Sequence, residues 1–584
     1  MSSTPSTSSD GGDKAVVHLD EDVAISTPTP SKPYFGMMGF WLNFWVTVAC
    51  TTAMMLFGYD QGVFGGIIVT EDFLQTMGNP DSTLQGTIVS LYDIGCFAGA
   101  IATMMFGERL GRRKSFTIGI VVMSIGAILQ ITAFGVPHMI VGRLVTGFGN
   151  GINTSISPVW QSETCKAAWR GKLIILAMIL NVFGFSLSNW MTYGFSFIHG
   201  SISWRFPIAF QLVFSIILIS TVPWLPESPR WLLAHGREDD GVAILCALDG
   251  CDTKPTDLHI INQKQAIMEA VRAEQDNAPS WSDILRGKTG ETGTVKRLIL
   301  GAGTQWFQQL VGINVTSYYL PLVLQDSVGL SNNLARLLAA CNSVSYLIFS
   351  FLGLILIERA GRRKMLMIGA AAQCACYAVI TGLLSQADGS SRGSQFGAAA
   401  TAFFFLYYVS FGICYQGIPW LYPVEINSLA MRTKGAALGS GSNWISNFLV
   451  VQITPIGISN LGWRFYIIWV VLNAAIIPVC GLSVHENSTY LTRFAQTVYF
   501  FYPETANRQL EDMDRLYREN KNLVFVPRNK EAIQTSRPQR YIDAEEERSY
   551  AIAHDRVPES DPRVAGREAT KRQNRAEIGH KEYL

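Results

Sequence analysis

The stretch "GERLGRR" at residues 107–113 returns as "IERAGRR" at residues 357–363. Each copy is a short charged island between long apolar segments. Three further pairs repeat in the same order. Glu163 and Arg170 are echoed by Glu425 and Arg432. "WRF" at 204–206 is echoed at 463–465. "PESPRWL" at 226–232 is echoed by "PETANRQL" at 503–510. Four echoes in register predict a duplicated chain, with two parallel halves joined in tandem.

The segments around these islands are membrane-like. A spanning helix needs about 20 apolar residues, and twelve stretches qualify: 41–68, 84–106, 116–137, 138–160, 173–198, 206–225, 298–324, 337–357, 365–385, 396–424, 435–461 and 465–484. Three hold one formal charge each (Asp60, Asp93 and Arg143), and the rest hold none. A soluble core cannot supply twelve such runs, so the expected fold class is an all-α membrane protein with six helices per half. Composition agrees. Charged residues are 16% of the 584-residue chain, below the roughly 25% usual in soluble domains. The net charge of +1 gives no reason to expect a nucleic-acid partner. The ten cysteines show neither metal-ligand spacing nor a secreted disulfide pattern. No P-loop or nucleophile elbow occurs, so an enzyme and a cofactor are not expected.

The positive-inside rule places "GERLGRRKS", "KAAWRGK", "ERAGRRK" and "MRTKG" in the cytoplasm. The opposite loops, "TEDFLQTMGNPDST" and "SQADGSSRGSQ", are acidic or nearly neutral. Both termini are then cytoplasmic. The expected divisions are a disordered terminus 1–34, a half 35–225, a cytoplasmic loop with short helices 226–297, a half 298–502, and a tail 503–584.

Within the first span, "LFGYDQGVFGG" (56–66) carries Asp60, the one charge between Trp41 and Val69. A carboxylate at that depth costs about 2.5–3.5 kcal/mol on insertion scales and should face the bundle interior, with a cation if one is available. Arg143 is the one cation within the twelve stretches. If the two pair, protonation of Asp60 would release the pair and couple a proton to helix movement. A fixed salt bridge is the plainer alternative. Asp93 either joins that network or is a satisfied structural group. Gln308, Gln309 and Asn314 lie in an uncharged span. Amides donate and accept, which suits sugar hydroxyls as well as helix–helix contacts.

The set GYDQGVFGG, GERLGRRK, GRLVTGFGNG…PVWQSE, PESPRWL, QQLVGIN, ERAGRRK, PWLYPVEIN and PETANR resembles the sugar porter family of the major facilitator superfamily. The likeness covers about residues 34–516, and its wording is nearest to fungal monosaccharide/proton symporters. It implies twelve transmembrane helices and alternating access for a monosaccharide or polyol, often coupled to protons, in a monomeric multi-pass protein of the plasma membrane. Asp60 and Arg143 match the coupling pair of the family. Gln308, Gln309, Asn314, Trp420, Asn443 and Trp444 match its sugar ligands. Phe185 stands where the bacterial xylose symporter type has glutamine. Tyr346 stands where an asparagine is expected, with Asn342 one turn away. The pocket should therefore have fewer amides and more aromatic surface, and pentoses, polyols or sugar acids stay open beside hexoses. Uncoupled carriage and a non-transporting sugar sensor are the alternatives.

Glu108, Arg109, Arg112, Glu163 and Arg170 in one half, with Glu358, Arg359, Arg362, Glu425 and Arg432 in the other, are expected to form the cytoplasmic gate. Ion pairs between the halves would hold the outward-facing state. One irregularity breaks the repeat. Trp204 to Pro226 is 22 residues (226 − 204), whereas Trp463 to Pro503 is 40 (503 − 463). The 18 extra residues fall around "GLSVHENSTYLTRFAQT", 481–497. This stretch reads as a retained intron; a genuine excursion with Asn487 as a glycan acceptor is the alternative.

Overall fold

The computed structural model describes residues 37–165, 170–250, 253–277, 293–387, 390, 392–427, 431–476, 498, 501–508, 510–520 and 529–543. The suspected insert 481–497, the 1–34 terminus and most of the tail lie outside the described residues. Among the described residues there is no strand. The first half holds α1 (Phe40–Ile67), α2 (Ser82–Leu110), α3 (Arg112–Ile131), α4 (Val136–Thr164), α5 (Arg170–Phe195) and α6 (Ile202–Thr221). The shortest, α3 and α6, have 20 residues, which at 1.5 Å per residue give about 30 Å, the thickness of a bilayer core.

The second half is less regular. Its first crossing is broken into α7 (Thr294–Leu310), α8 (Ile313–Ser317) and α9 (Leu320–Asp326). Then come α10 (Asn332–Ala360) and α11 (Arg362–Ala387). The next crossing is broken into α12 (Gly393–Cys414) and α13 (Ile418–Ile426), followed by α14 (Arg432–Leu461) and α15 (Phe465–Ile476). Among the described residues, nine helical stretches are long and apolar enough to cross a membrane, and α15 is described over 12 residues. Helix α10 starts at Asn332, earlier than the apolar run beginning at 337, and so brings the buried Arg336 inside a long helix. Arg143 is therefore not the one cation within the crossings. A hydropathy window stops short of Arg336 because it scores every arginine as polar, whereas in the fold this guanidinium is compensated: Nη2 donates to Val69 O at 2.9 Å.

The repeated motif builds the same joint twice. Between α2 and α3, Gly111 sits at φ 85°, and between α10 and α11, Gly361 sits at φ 82°. Only glycine takes this conformation without strain. The Glu227 carboxylate accepts the backbone N–H groups of Arg112 (2.9 Å) and Arg113 (3.1 Å). Glu504 accepts those of Arg362 (2.9 Å) and Arg363 (3.1 Å). Each glutamate neutralises the positive, unsatisfied start of a helix. A Cβ at Gly111 would lie 2.7 Å from the Glu227 carboxylate, so the glycine also makes room for the cap.

Within the halves, α1 packs on α5 and α4 on α2 and α3; α12 packs on α10 and α11. The halves meet along α2–α14 and α5–α10. Short helices at Pro229–Ala234, Glu238–Asp249 and Leu258–Asn277 occupy the central loop. The middle one holds the start of α1: Asn43 Nδ2 donates to Leu248 O at 2.8 Å.

Candidate functional site

Asp60 and Arg143 meet inside the first half. Arg143 Nη1 lies 3.7 Å from Asp60 Oδ1, and both side chains are completely buried. That separation is an ion pair rather than a hydrogen bond, and neither Asp60 oxygen has a hydrogen-bond partner. Arg143 Nη2 donates to Val89 O at 2.8 Å. Its guanidinium lies over the rings of Phe64 (4.0 Å) and Tyr92 (4.4 Å). Their negative faces give the cation further compensation. The pair faces the bundle interior, as the cost of burying either charge alone requires.

The two broken crossings open a cavity beside this pair. At the first break Gly312 takes φ 91°. The carbonyls freed there are not orphaned. Tyr377 OH donates to Gly312 O at 2.8 Å, while Tyr407 OH (2.9 Å) and Asn473 Nδ2 (3.1 Å) donate to Val311 O. At the second break, Gln308 Nε2 donates to Tyr415 O at 3.0 Å. Irregular backbone survives at membrane depth only under such cover.

The cavity holds about 40 Å³ of free space. Gln308, Gln309, Asn314, Trp420, Asn443 and Phe185 all line it. Their environments differ. Gln308 is partly structural, since its nitrogen covers the break in the other crossing and its oxygen accepts from Asn443 Nδ2 at 3.0 Å. Asn314 Nδ2 donates to Gln309 Oε1 and, at 2.5 Å, to Asn447 Oδ1. Trp420 meets Phe57 edge-on at 6.3 Å, and Phe185 meets Tyr346 edge-on at 6.2 Å. Tyr346 lines the cavity and donates to Gln416 Oε1. The fully buried Asn342 does not line it.

Trp444 is the exception among the expected ligands. It is fully buried, does not line the cavity, and packs behind it against Phe57 (5.2 Å) and Tyr92 (6.2 Å). One residue of helical advance from Asn443 turns the indole away from the opening.

Several lining residues were not anticipated: Phe57, Gln61, Asn181, Gln416 and Asn447. Gln61 directly follows Asp60, and Asn447 lies four residues beyond Asn443, on the same helix face. The motif chemistry drew attention to their neighbours instead. Among the described residues that line the cavity, none is charged.

Two of the expected gate arginines, Arg112 and Arg362, adopt a different pairing from the one expected, while the side chains of Arg170 and Arg432 lie outside the described ones. Arg112 binds Glu163 in its own half with two bonds of 3.0 Å. Arg362 binds Glu425 in its own half at 3.1 and 2.7 Å. Glu108, Arg109, Glu358 and Arg359 are exposed at the same ends. Arg170 and Arg432 open α5 and α14. Among the described residues, side-chain hydrogen bonds join the halves at the opposite end and around the cavity. Ser459 Oγ donates to Ser82 Oγ (3.3 Å), Ser90 Oγ to Gln452 Oε1 (2.6 Å), and Ser343 Oγ to Ser186 Oγ (3.0 Å). With closure at that end, the arginine motifs brace each half internally.

The family described as "Sugar (and other) transporter" matches residues 45–517. The chain is 52% identical to the MFS-type transporter oryC of Aspergillus oryzae, over 88% of this chain and 93% of that one. It is 34% identical to the sugar transporter STL1 of Saccharomyces cerevisiae, over 83% of each. Among solved structures, the MFS proton:xylose symporter XylE bound to 6-bromo-6-deoxy-D-glucose superposes with a TM-score of 0.66. That match has 23% identity and covers 82% of this chain and 99% of that one; it establishes the fold.

Proposed function

The chain belongs to the sugar transporter family, and from that premise we propose that it carries a neutral monosaccharide or polyol across the plasma membrane by alternating access, in symport with protons. The observation that supports this best is a charge-free cavity of amides and aromatic rings beside a buried carboxylate–guanidinium pair.

Eight amide side chains line the cavity: Gln61, Asn181, Gln308, Gln309, Asn314, Gln416, Asn443 and Asn447. Each offers donors and an acceptor, which is what a ring of hydroxyls needs. Phe57, Phe185, Tyr346, Phe411 and Trp420 supply flat apolar faces for C–H surfaces. A sugar acid would bring a carboxylate into this space, and an uncompensated charge there is costly. Neutral substrates are therefore favoured over acids.

In the proposed cycle Asp60 takes a proton from the open side. Its attraction for Arg143 falls, and α1 can shift against α4. Substrate in the cavity bridges amides of both halves, and the arginine motifs re-pair as the halves rock. Uncoupled facilitation is the second reading; the 3.7 Å separation of the pair is compatible with a fixed bridge.

Expression in transporter-deficient yeast tests both readings. Uptake of D-glucose, D-xylose, D-sorbitol and D-galacturonate would be compared while external pH is followed. Neutral uptake with external alkalinisation is expected. Selective galacturonate uptake rejects the neutral-substrate reading, and uptake indifferent to pH and uncoupler rejects symport.

A further inference from the structure

Asp93 is the second carboxyl buried in the first half, and the proposed cycle makes no use of it. It lies on α2 with no solvent exposure. Its Oδ1 accepts from Asn447 Nδ2 of the second half at 3.0 Å, while Oδ2 has no hydrogen-bond partner. Asn447 Oδ1 accepts in turn from Asn314 Nδ2 at 2.5 Å, and Asn314 Oδ1 accepts from Gln61 Nε2 at 3.0 Å.

The four groups form one directed chain, Gln61 to Asn314 to Asn447 to Asp93. It leaves the first half at Gln61, runs through two residues of the second, and returns at Asp93. Three of its members line the cavity. An ionised carboxylate is an acceptor only, so it fixes the orientation of Asn447, then of Asn314, then of Gln61. Asp60, by contrast, has no hydrogen bond to any cavity residue.

We propose that Asp93 is a second proton site of the transport cycle, whose ionised form latches the two halves through Asn447 and links proton occupancy to the cavity. The inference rests on the sugar-transport reading. A charge-assisted hydrogen bond is about twice as strong as a neutral one, so a proton arriving on the free Oδ2 weakens the latch. It also releases Asn447 and Asn314 to bind hydroxyls. The converse follows from linkage: a substrate that claims the Asn447 amide removes the donor that favours ionised Asp93 and so promotes its protonation. The charged and titratable groups acting on Asp93 are Arg143 and Asp60 in the first half, Cys96 on its own helix, and Tyr318 and Tyr319 in the second half. Arg143 thus acts on both carboxyls, and one cation serves two acids.

The test uses the full chain in transporter-deficient yeast with D-glucose and D-xylose. Asp93→Asn keeps an acceptor for Asn447 but cannot titrate. In the unmodified protein the half-saturation concentration is expected to rise about five- to tenfold from about pH 5 to about pH 8; in Asp93→Asn, where only Asp60 still titrates, the rise should be less than about half as large, with counterflow retained. Should that variant fail to fold, Asn447→Ala provides the second arm. It removes the donor and should move the midpoint of the pH profile to higher pH. A wild-type pH profile in Asp93→Asn overturns the proposal while leaving sugar transport intact, as does an unmoved midpoint in Asn447→Ala. No uptake of either sugar by the unmodified chain removes the sugar reading and this inference with it.

Discussion

Asp60 Oδ1 stands 3.7 Å from Arg143 Nη1 in a site closed to solvent. The two are held by charge and by the aromatic rings around the guanidinium, with no hydrogen bond between them. Such a pair is sensitive to a single proton, because the Coulomb attraction is its main bond and is lost when the acid is neutral.

Asp60→Asn mimics the protonated acid permanently. It should abolish uphill accumulation while sparing counterflow, which requires no net proton movement. Arg143→Leu leaves Asp60 as an unpaired buried charge and should cost about 3–5 kcal/mol of stability. Accumulation ratios and thermal melting of the purified variants give the two readouts; accumulation undiminished in Asp60→Asn would reject the coupling role.

Gln309 and Gln308 are adjacent but should respond differently. Gln309→Ala removes a cavity amide and should raise the half-saturation concentration about five- to fiftyfold, equivalent to about 1–2.3 kcal/mol for a hydrogen-bonding group. Gln308→Ala should do this and also lower melting temperature, since the carbonyl of Tyr415 loses its donor. Trp444→Phe should leave affinity within about twofold, because that ring lies behind the cavity. A large affinity loss in Trp444→Phe would place the indole in the site after all.

Arg336 ties the second half to the end of α1. Its Nη2 donates to Val69 O (2.9 Å) and Thr70 Oγ1 (3.2 Å), and Asn332 Nδ2 donates to Val69 O at 3.1 Å. A cation at the carbonyl end of a helix is stabilising. Arg336→Ala should loosen closure at this end and raise amide hydrogen exchange around residues 64–70. Unchanged protection there would show that the contact does not hold the halves together.

Glu227 and Glu504 should be equivalent in effect. Removing a helix-start acceptor costs about 0.5–2 kcal/mol. Glu227→Ala and Glu504→Ala are each expected to lower stability by a similar amount, measured by thermal melting in detergent. A large asymmetry would mean that the repeat is shared in shape but not in energetics.

The same equivalence bears on residues 481–497. The Glu504 cap matches the Glu227 cap, yet Trp463 to Pro503 has 18 residues more than Trp204 to Pro226 (40 − 22). We propose that the mature message lacks about that many codons. Sequencing complementary DNA across codons 470–505 should reveal a shortened transcript; an uninterrupted message in every clone ends the idea.

The arginine motifs, the apolar runs and the inward pairing of Asp60 with Arg143 were legible because each follows from a local rule: helix length, the cost of a lone buried charge, or a glycine followed by a capped helix. The breaks at Gly312 and Gln416 were not. They depend on tyrosine and amide side chains, such as Tyr377, Tyr407 and Gln308, arriving from distant helices to satisfy freed carbonyls. Trp444 was misplaced for a similar reason. A motif names adjacent residues, but a helix turns each by about 100°, and only packing decides which one faces the opening.

By itself, then, the sequence determined a duplicated helical membrane bundle and the presence of a buried acid with a buried base, because spacing and hydrophobicity act along the chain. Tertiary structure alone decided that Arg112 and Arg362 pair within their halves, that eight amides and no charge line the cavity, and that Asp93 reaches Asn447 across the interface. Those relations join residues up to 354 positions apart. Hydrogen bonds between such residues depend on how rigid helices pack, which no local pattern encodes.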